Sequence, residues 1–271
     1  MKSATLADGI VVGSLFERSR TVRPRWRVSV VIPAMNEARN IAWVLRRLPA
    51  SVDEVVLVDG NSTDGTVEIA RRIRPDIVVT GQDSPGKGAA LRAGFARATG
   101  DAVVMIDADG SMEPAEIDSF VERLAEGYDV VKGSRFISGG GTSDMTPIRM
   151  FGNSGLVSLV NRLYGAEFSD LCYGYVGFRR TALERLGLCS DGFEIETEIA
   201  VRALTGRFRI GEVASFESPR HYGDSNLNAM RDGLRVLRTL LTSWIAASRL
   251  GPARDGVAIE GVYPAGGANG G

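Results

Sequence analysis

Four short apolar runs set the limits on how this chain can fold: Val28-Ser29-Val30-Val31-Ile32, Val55-Val56-Leu57-Val58, Asp76-Ile77-Val78-Val79 and Asp101 to Ile106. Each has the length of a strand, and each is near-continuously apolar, as strands covered on both faces are. Helical stretches separate them. The first runs from Met35-Asn36-Glu37 to about Leu48, with Ile41, Val44, Leu45 and Leu48 on one face. The second follows the turn and cap residues Ser62 to Thr66 and reaches Ile73. The third spans about Ala89–Ala98. Short connections between alternating strands and helices predict a parallel sheet with right-handed crossovers. The strand ends Pro33-Ala34-Met35-Asn36-Glu37, Asp59-Gly60-Asn61-Ser62 and Asp107-Ala108-Asp109 should then gather on one rim, where open α/β sheets bind ligands.

Asp107 and Asp109 are the chemically most pointed pair. A run of four apolar residues, Val103 to Ile106, delivers them, and unpaired carboxylates are too costly to serve as core. They suit a hard divalent cation, Mg²⁺ or Mn²⁺, bridging to phosphate. Asn36 and Glu37 could recognise a base edge or a ribose hydroxyl, or simply open a helix. Gly81 to Gly88 matches Gly-x4-Gly-Lys, but Gly88 stands where a phosphate-binding loop needs Ser or Thr, and the motif follows the third strand. Lys87 remains a phosphate-directed charge.

Beyond the fourth run the pattern continues less regularly. A helix over 116–126 and a strand over 129–133 come first. Ser138 to Asp144 is expected as a flexible loop, Arg149 to Tyr164 as a helix and Tyr173 to Phe178 as a strand. Glu196 to Leu204 is expected as a helix, 208–210 and 213–214 as short strands, and 228–250 as a long helix. Arg135, Arg149 with Asn153, and Arg220 are placed to clamp phosphate oxygens. His221, the one histidine, is a candidate ligand for metal or diphosphate. Glu194, Glu196 and Glu198 offer a carboxylate base near a hydroxyl acceptor, and Asp170 is a second candidate there.

Composition closes off several classes. A net charge of −1 gives no electrostatic reason to expect nucleic acid. Cys172 and Cys189 lack metal spacing, so the expectation is a reducing cytoplasm. No apolar stretch is long enough to span a bilayer. In 228–250, however, Met230, Leu234, Leu237, Leu241, Trp244 and Ile245 share a face flanked by Arg231, Arg235 and Arg238. That face fits peripheral contact at the inner side of a membrane, packing on its own domain, or a homodimer.

Taken together, Val30 to Glu37, Val58 to Thr66, Gly86 to Ala90 and Asp107 to Gly110 resemble the family 2 glycosyltransferases. Gly133 to Phe136, Asp170 to Arg180 and Arg220 to Leu227 are similar to the branch of dolichyl-phosphate mannose synthases and polyprenyl-phosphate glycosyltransferases. The resemblance implies an α/β GT-A fold: a Rossmann-like, mostly parallel sheet flanked by helices, with an irregular acceptor-side second half. Composition reads 1–26, which ends in a basic run, as a flexible arm and the Gly/Ala-rich 251–271 as a disordered tail; the resemblance, over roughly 28–245, implies a glycosyltransferase domain at 27–250 between them. Within the domain, 27–136 binds the nucleotide-sugar, 137–227 forms the acceptor half and 228–250 is an amphipathic helix.

It implies inverting, metal-dependent transfer of a hexose from a UDP- or GDP-hexose to a polyprenyl phosphate. A soluble hydroxyl acceptor, such as a glycerate-type acid or an aglycone, is the alternative. Pro33, Asn36, Glu37 and Asp59 would border the base and ribose, Lys87 would lie near the nucleotide, and Asp107 and Asp109 would hold Mg²⁺ or Mn²⁺ and the diphosphate. Arg135, Arg149 and Asn153 would handle the acceptor phosphate, while Arg220 and Ser225 would close on the diphosphate. Two positions depart from the branch: Ser111 stands where a Gln metal ligand is common, and Asn226 where a Lys is common. A nucleotidyltransferase would carry a Gly-rich basic loop after the first strand, which Pro33 to Glu37 is not. A non-catalytic sugar-nucleotide binding protein is the other rival.

Overall fold

The computed structural model describes residues 25–223, 229–249 and 259–261. In chain order the elements are β1 (Val28–Ala34), α1 (Ile41–Arg47), β2 (Glu54–Asp59), α2 (Thr66–Ile73), β3 (Val78–Gly81), α3 (Lys87–Arg97) and β4 (Ala102–Met105). A short 3-10 turn, Pro114–Glu116, leads into α4 (Ile117–Ala125) and β5 (Val130–Ser134). The second half contains β6 (Gly141–Thr142), α5 (Pro147–Tyr164), β7 (Val176–Arg179), α6 (Arg180–Leu186), α7 (Ile195–Thr205), β8 (Ile210–Ala214), β9 (Phe216–Glu217), α8 (Ala229–Arg249) and β10 (Ile259–Gly261).

The main sheet has eight strands in the order β10-β8-β5-β7-β4-β1-β2-β3. Every pairing in it is parallel except those of β7, which runs antiparallel between β4 and β5. The carboxyl ends of β1, β2, β4 and β5 therefore share one rim. The sheet is covered on both faces. Val30, Ile32, Leu57 and Val104 pack with Ile41 and Val44 of α1 and with Ile117 and Phe120 of α4. Val31, Val56, Val103 and Met105 pack with Leu91 of α3, Ile195 and Ile199 of α7, and Leu240 of α8. This two-sided burial is why the strands read as unbroken apolar runs. Helix α3 lies so close that a Cβ on Gly94 would overlap Val31 and sit 2.7 Å from Val58 Cγ2.

Three expectations need correction. Helix α1 starts only at Ile41, because Asn36 takes a left-handed backbone (φ 58°) that begins a turn instead of a helix. The loop at 138–144 contains β6, which pairs with β9. The Gly/Ala-rich tail is not without structure: β10 adds to the outer edge of β8, with Ile259 opposite Ile210. The remaining tail and residues 1–24 lie outside the described residues.

The second half is held by buried charge. The Arg135 guanidinium contacts both oxygens of Asp170, at 2.6 and 2.9 Å, and Glu217 at 3.0 Å. It also donates to the Cys172 carbonyl and lies 4.7 Å from the centre of the Tyr173 ring. Burial works against its charge, but Asp170 and then Glu217 outweigh that and hold its pKa above the ordinary arginine value. Asn153, also buried, accepts from the backbone N–H groups of Leu171 and Cys172. Arg135 and Asn153 were expected to handle an acceptor phosphate, and Asp170 to act as a base. In the structure all three are committed to one another's surroundings, tying the end of β5 to the 170–172 loop and β9.

Arg135→Ala would leave Asp170 and Glu217 buried without their cation, so it should cost about 3–5 kcal/mol of stability in urea unfolding. Arg149→Ala removes only a half-exposed contact with Asp144 at 3.2 Å, and its unfolding free energy should stay within about 0.5 kcal/mol of the parent.

Candidate active site

The loops after β1 and β2 are laced together. Asn36 donates its backbone N–H to Ser62 Oγ and accepts from the Thr63 N–H through Oδ1, both at 2.9 Å. Glu37 N–H donates to Thr66 Oγ1, and Ala38 N–H to Asp64 Oδ2. Asp59 accepts from the Ser62 N–H through both carboxylate oxygens at 3.2 Å. Pro33, at the end of β1, pairs with Val58 in the sheet. The expected base-pocket residues Pro33, Asn36, Glu37 and Asp59 are thus brought together. The side chains of Asn36 and Asp59 also shape the loops themselves.

Asp107 and Asp109 follow β4 on the same rim. Asp109 accepts from the Ser111 N–H at 3.0 Å. Segment 218–222 folds back over it: the His221 N–H donates to the Asp109 carbonyl and the Ser218 N–H to the Ser111 carbonyl. Arg220 joins the two strand ends, 2.7 Å from Glu37 Oε1 and 3.9 Å from Asp109 Oδ2. The His221 ring lies 4.4 Å from the centre of the Trp43 ring and directly over Gly110, where a Cβ would overlap its Nδ1. Arg39 covers the Tyr222 ring at 4.0 Å, and Asn40 donates to the Tyr222 carbonyl.

Arg39, Asn40 and Trp43 therefore dock this segment, a role missed in the sequence. Its one signal was a tryptophan lying off the apolar face formed by Ile41, Val44 and Leu45. Ser225, expected to close on the diphosphate, lies outside the described residues.

Lys87 stands at the head of α3. Its ammonium is 2.7 Å from Asp107 Oδ1, 2.9 Å from Asp107 Oδ2 and 2.9 Å from Glu196 Oε1. Burial disfavours that charge, yet Asp107 and Glu196 outweigh it and hold the lysine pKa well above its ordinary value. Burial pushes the Asp107 carboxyl up to about 6; Lys87 opposes the shift, while Asp109 and Glu196 add to it. The Gly86-Lys87-Gly88 turn is not a phosphate cradle. The N–H groups of Gly88 and Ala89 both donate to the Asp191 carbonyl, at 2.7 and 3.2 Å.

Of the three acids at the start of α7, only Glu196 faces this cluster. Glu198 accepts from the N–H groups of Cys189 and Ser190 and pairs with Arg202, and Glu194 accepts from the Gly192 N–H. Arg149, half-exposed in the first turn of α5, is bonded to Asp144.

Among the described residues, no three His, Cys, Asp or Glu side chains converge into a metal-binding group. The His221 ring is engaged with Trp43 and Gly110 and completes no such group with Asp107 and Asp109. The two aspartates themselves fit Mg²⁺ or Mn²⁺ in donor type: hard carboxylate oxygens at a strand end. These cations commonly take one or two carboxylates and complete their shell with substrate phosphate and water.

Residues 29–187 match glycosyl transferase family 2. A polyprenol monophosphomannose synthase of Mycolicibacterium smegmatis is 31% identical over 252 residues, covering 88% of this chain and 94% of that protein. The glycosyltransferase AglJ of Haloferax volcanii is 35% identical over 218 residues, covering 76% of this chain and 68% of AglJ. Among solved structures, the glucosyl-3-phosphoglycerate synthase of Mycobacterium tuberculosis, in complex with Mn²⁺, UDP and glucosyl-3-phosphoglycerate, superposes with a TM-score of 0.64. It is 24% identical, over 80% of each chain, a likeness that supports the GT-A fold. The chain belongs to glycosyl transferase family 2 and is a glycosyltransferase of the GT-A fold.

Proposed function

We propose that this glycosyltransferase moves a hexose from a UDP- or GDP-hexose to a polyprenyl-phosphate-type acceptor, with inversion at the anomeric carbon. The carrying observation is the Asp107–Asp109 pair at the end of β4, set between Lys87 and Arg220 on the rim formed by the β1 and β2 loops. The likeness to a polyprenol monophosphomannose synthase supports the choice of acceptor. In the reaction an acceptor oxygen forms a bond to the anomeric carbon as the bond to the diphosphate oxygen breaks, and the electron pair leaves on the diphosphate.

Asp107 and Asp109 would hold Mg²⁺ or Mn²⁺, which when bound supplies positive charge to the departing nucleoside diphosphate. Arg220, linked to Glu37 and Asp109, keeps the 218–222 segment over the site and adds a second positive charge beside the diphosphate. The β1 and β2 loops, stiffened by Asn36, Asp59 and Asp64, form the side of the cleft assigned to the nucleotide. Of the two arginines expected at the acceptor's phosphate, Arg135 is buried in its ion pairs and Arg149 is half-exposed, so Arg149 is the one assigned to it.

A phosphate acceptor carries its own nucleophilic charge and needs no general base. A hydroxyl acceptor needs one, and Glu196 already has Lys87 as its ion-pair partner. The soluble-acceptor reading keeps one support, the structural likeness to a synthase bound to a phosphoglycerate product.

The exposed stripe Leu234, Leu241 and Ile245 on α8 lies opposite its buried residues Val236 and Leu240, with exposed Arg238 beside it. For an enzyme whose acceptor sits in a bilayer, that stripe fits peripheral contact with an anionic membrane. Among the described residues, no helix is long and apolar enough to cross one.

Asp109→Asn keeps an oxygen for the Ser111 N–H but loses the charge. It should lower turnover with Mn²⁺ by about a hundredfold or more without moving the thermal midpoint; unchanged turnover would overturn the metal role. With UDP- and GDP-hexoses supplied in parallel, product should form on polyprenyl phosphate and not on phosphoglycerate; the reverse result establishes the soluble alternative. Leu234→Ser with Leu241→Ser should abolish co-sedimentation with phosphatidylglycerol vesicles. If the parent chain instead stays off vesicles and elutes as a dimer, with the double variant monomeric, the stripe belongs to a second copy.

A further inference from the structure

We propose that Lys87 is a resident counter-ion for Asp107 that makes binding of the divalent cation conditional on the nucleoside diphosphate, and that Glu196 is the positioning residue that keeps Lys87 there. The inference rests on the reading of Asp107 and Asp109 as the cation's ligands.

One ammonium engages both oxygens of Asp107, at 2.7 and 2.9 Å, and the third contact goes to Glu196 at 2.9 Å. The oxygens that a cation would use are thus already facing a positive charge. A lysine at the head of a helix opposes the helix dipole, so the position is favourable only because of the carboxylates it meets. Its backbone neighbours do not serve phosphate, since the Gly88 and Ala89 N–H groups donate to the Asp191 carbonyl. The pair is also packed into place. A Cβ on Gly174 would lie 2.6 Å from Glu196 Oε1 and 2.8 Å from Lys87 Nζ, and the Phe193 ring centre is 5.7 Å from the ammonium.

Competition for Asp107 has a consequence for the order of binding. Lys87 and Arg220 face four carboxylates, Asp107, Asp109, Glu196 and Glu37, so net charge alone does not keep a divalent cation out. A bare cation must instead take the Asp107 oxygens from the Lys87 ammonium, and an anionic diphosphate offers that ammonium a replacement partner. Cation and nucleotide should therefore enter with strong mutual coupling, while Glu196 retains Lys87 beside the site when Asp107 turns to the cation. By linkage, whatever factor the nucleotide adds to cation affinity, the cation adds to nucleotide affinity.

Binding of Mn²⁺, followed by electron paramagnetic resonance without any sugar donor, tests this. UDP and GDP are added in separate titrations, and the coupling is read with the nucleotide that binds. In the parent protein the nucleotide should raise Mn²⁺ affinity by about a hundredfold. Lys87→Met should raise the nucleotide-free affinity at least tenfold and shrink the coupling by a similar factor. Lys87→Gln, which can still bond both carboxylates, repeats the test with a polar side chain, and urea unfolding verifies that both variants are folded. Glu196→Gln should weaken Mn²⁺ binding. Arg97→Met, with the same charge change at the far end of α3, should move affinity by less than twofold.

Nucleotide-dependent Mn²⁺ binding that is identical in the parent and both Lys87 variants overturns the counter-ion role and leaves the metal reading standing. An equal rise in Arg97→Met reduces the effect to net charge and also overturns it. Absence of Mn²⁺ binding in every variant, with and without nucleotide, overturns both readings.

Discussion

Parallel pairing of β4 with β1, and of β1 with β2, is the constraint on which the rest depends. Parallel strands put all their carboxyl ends on one side, so Glu37, Asp59 and Asp109, far apart in sequence, follow strand ends on one rim. The same arrangement requires helices on both faces, which removes the strands from water and leaves their ends as the places where charge can be held. Antiparallel β7 breaks the pattern between β4 and β5, and this insertion shapes the second half. It reverses the chain so that Gly174 returns to the rim beside Lys87 and Glu196.

Charge is distributed over this frame in two distinct ways. Arg135, Asp170 and Glu217 form a deeply buried group whose members satisfy one another, and burying such charges is tolerable only because none lacks a partner. Lys87, Asp107, Asp109, Glu196 and Arg220 form a second group that is less buried. There Asp109 makes one backbone hydrogen bond and a distant contact with Arg220. The first group holds β5, β9 and the 170–172 loop as a unit. The second retains carboxylate capacity on the side where a substrate would arrive. Arginine chemistry alone does not distinguish the two; the number of partners already in place does.

This is where sequence reasoning reached its limit. The strands and helices from β1 to β4 were legible because buried parallel strands and their turn residues leave strong local patterns. So was the convergence of their ends. The direction of β7 was not, since the run from Tyr173 to Phe178 records burial and says nothing of polarity. Arg135 looked like Arg149 in sequence, and only partners 35 and 82 residues away make it structural. Asn36 looked like part of a helix, and its left-handed backbone is stabilised by Ser62 and Thr63 from another loop. β10 was illegible because its three residues owe their conformation to the edge of β8. The strand-end residues Pro33, Asn36, Glu37, Asp59, Asp107 and Asp109 do lie along one rim, whereas Arg135 and Asn153 are engaged with partners inside the second half.

The ion pair between Lys87 and Glu196 bears on the acceptor as much as on the metal. A general base must be free to take a proton, and Glu196 Oε1 already accepts from the Lys87 ammonium at 2.9 Å. Asp170, the other acid considered for that task, is paired with Arg135 and fully buried. Glu194 and Glu198 are turned to the 189–192 loop. The four carboxylates considered for the acceptor side are therefore each committed to a cation or to backbone amides. Such an arrangement favours an acceptor that arrives already ionised, and a lipid phosphate meets that requirement on chemical grounds alone.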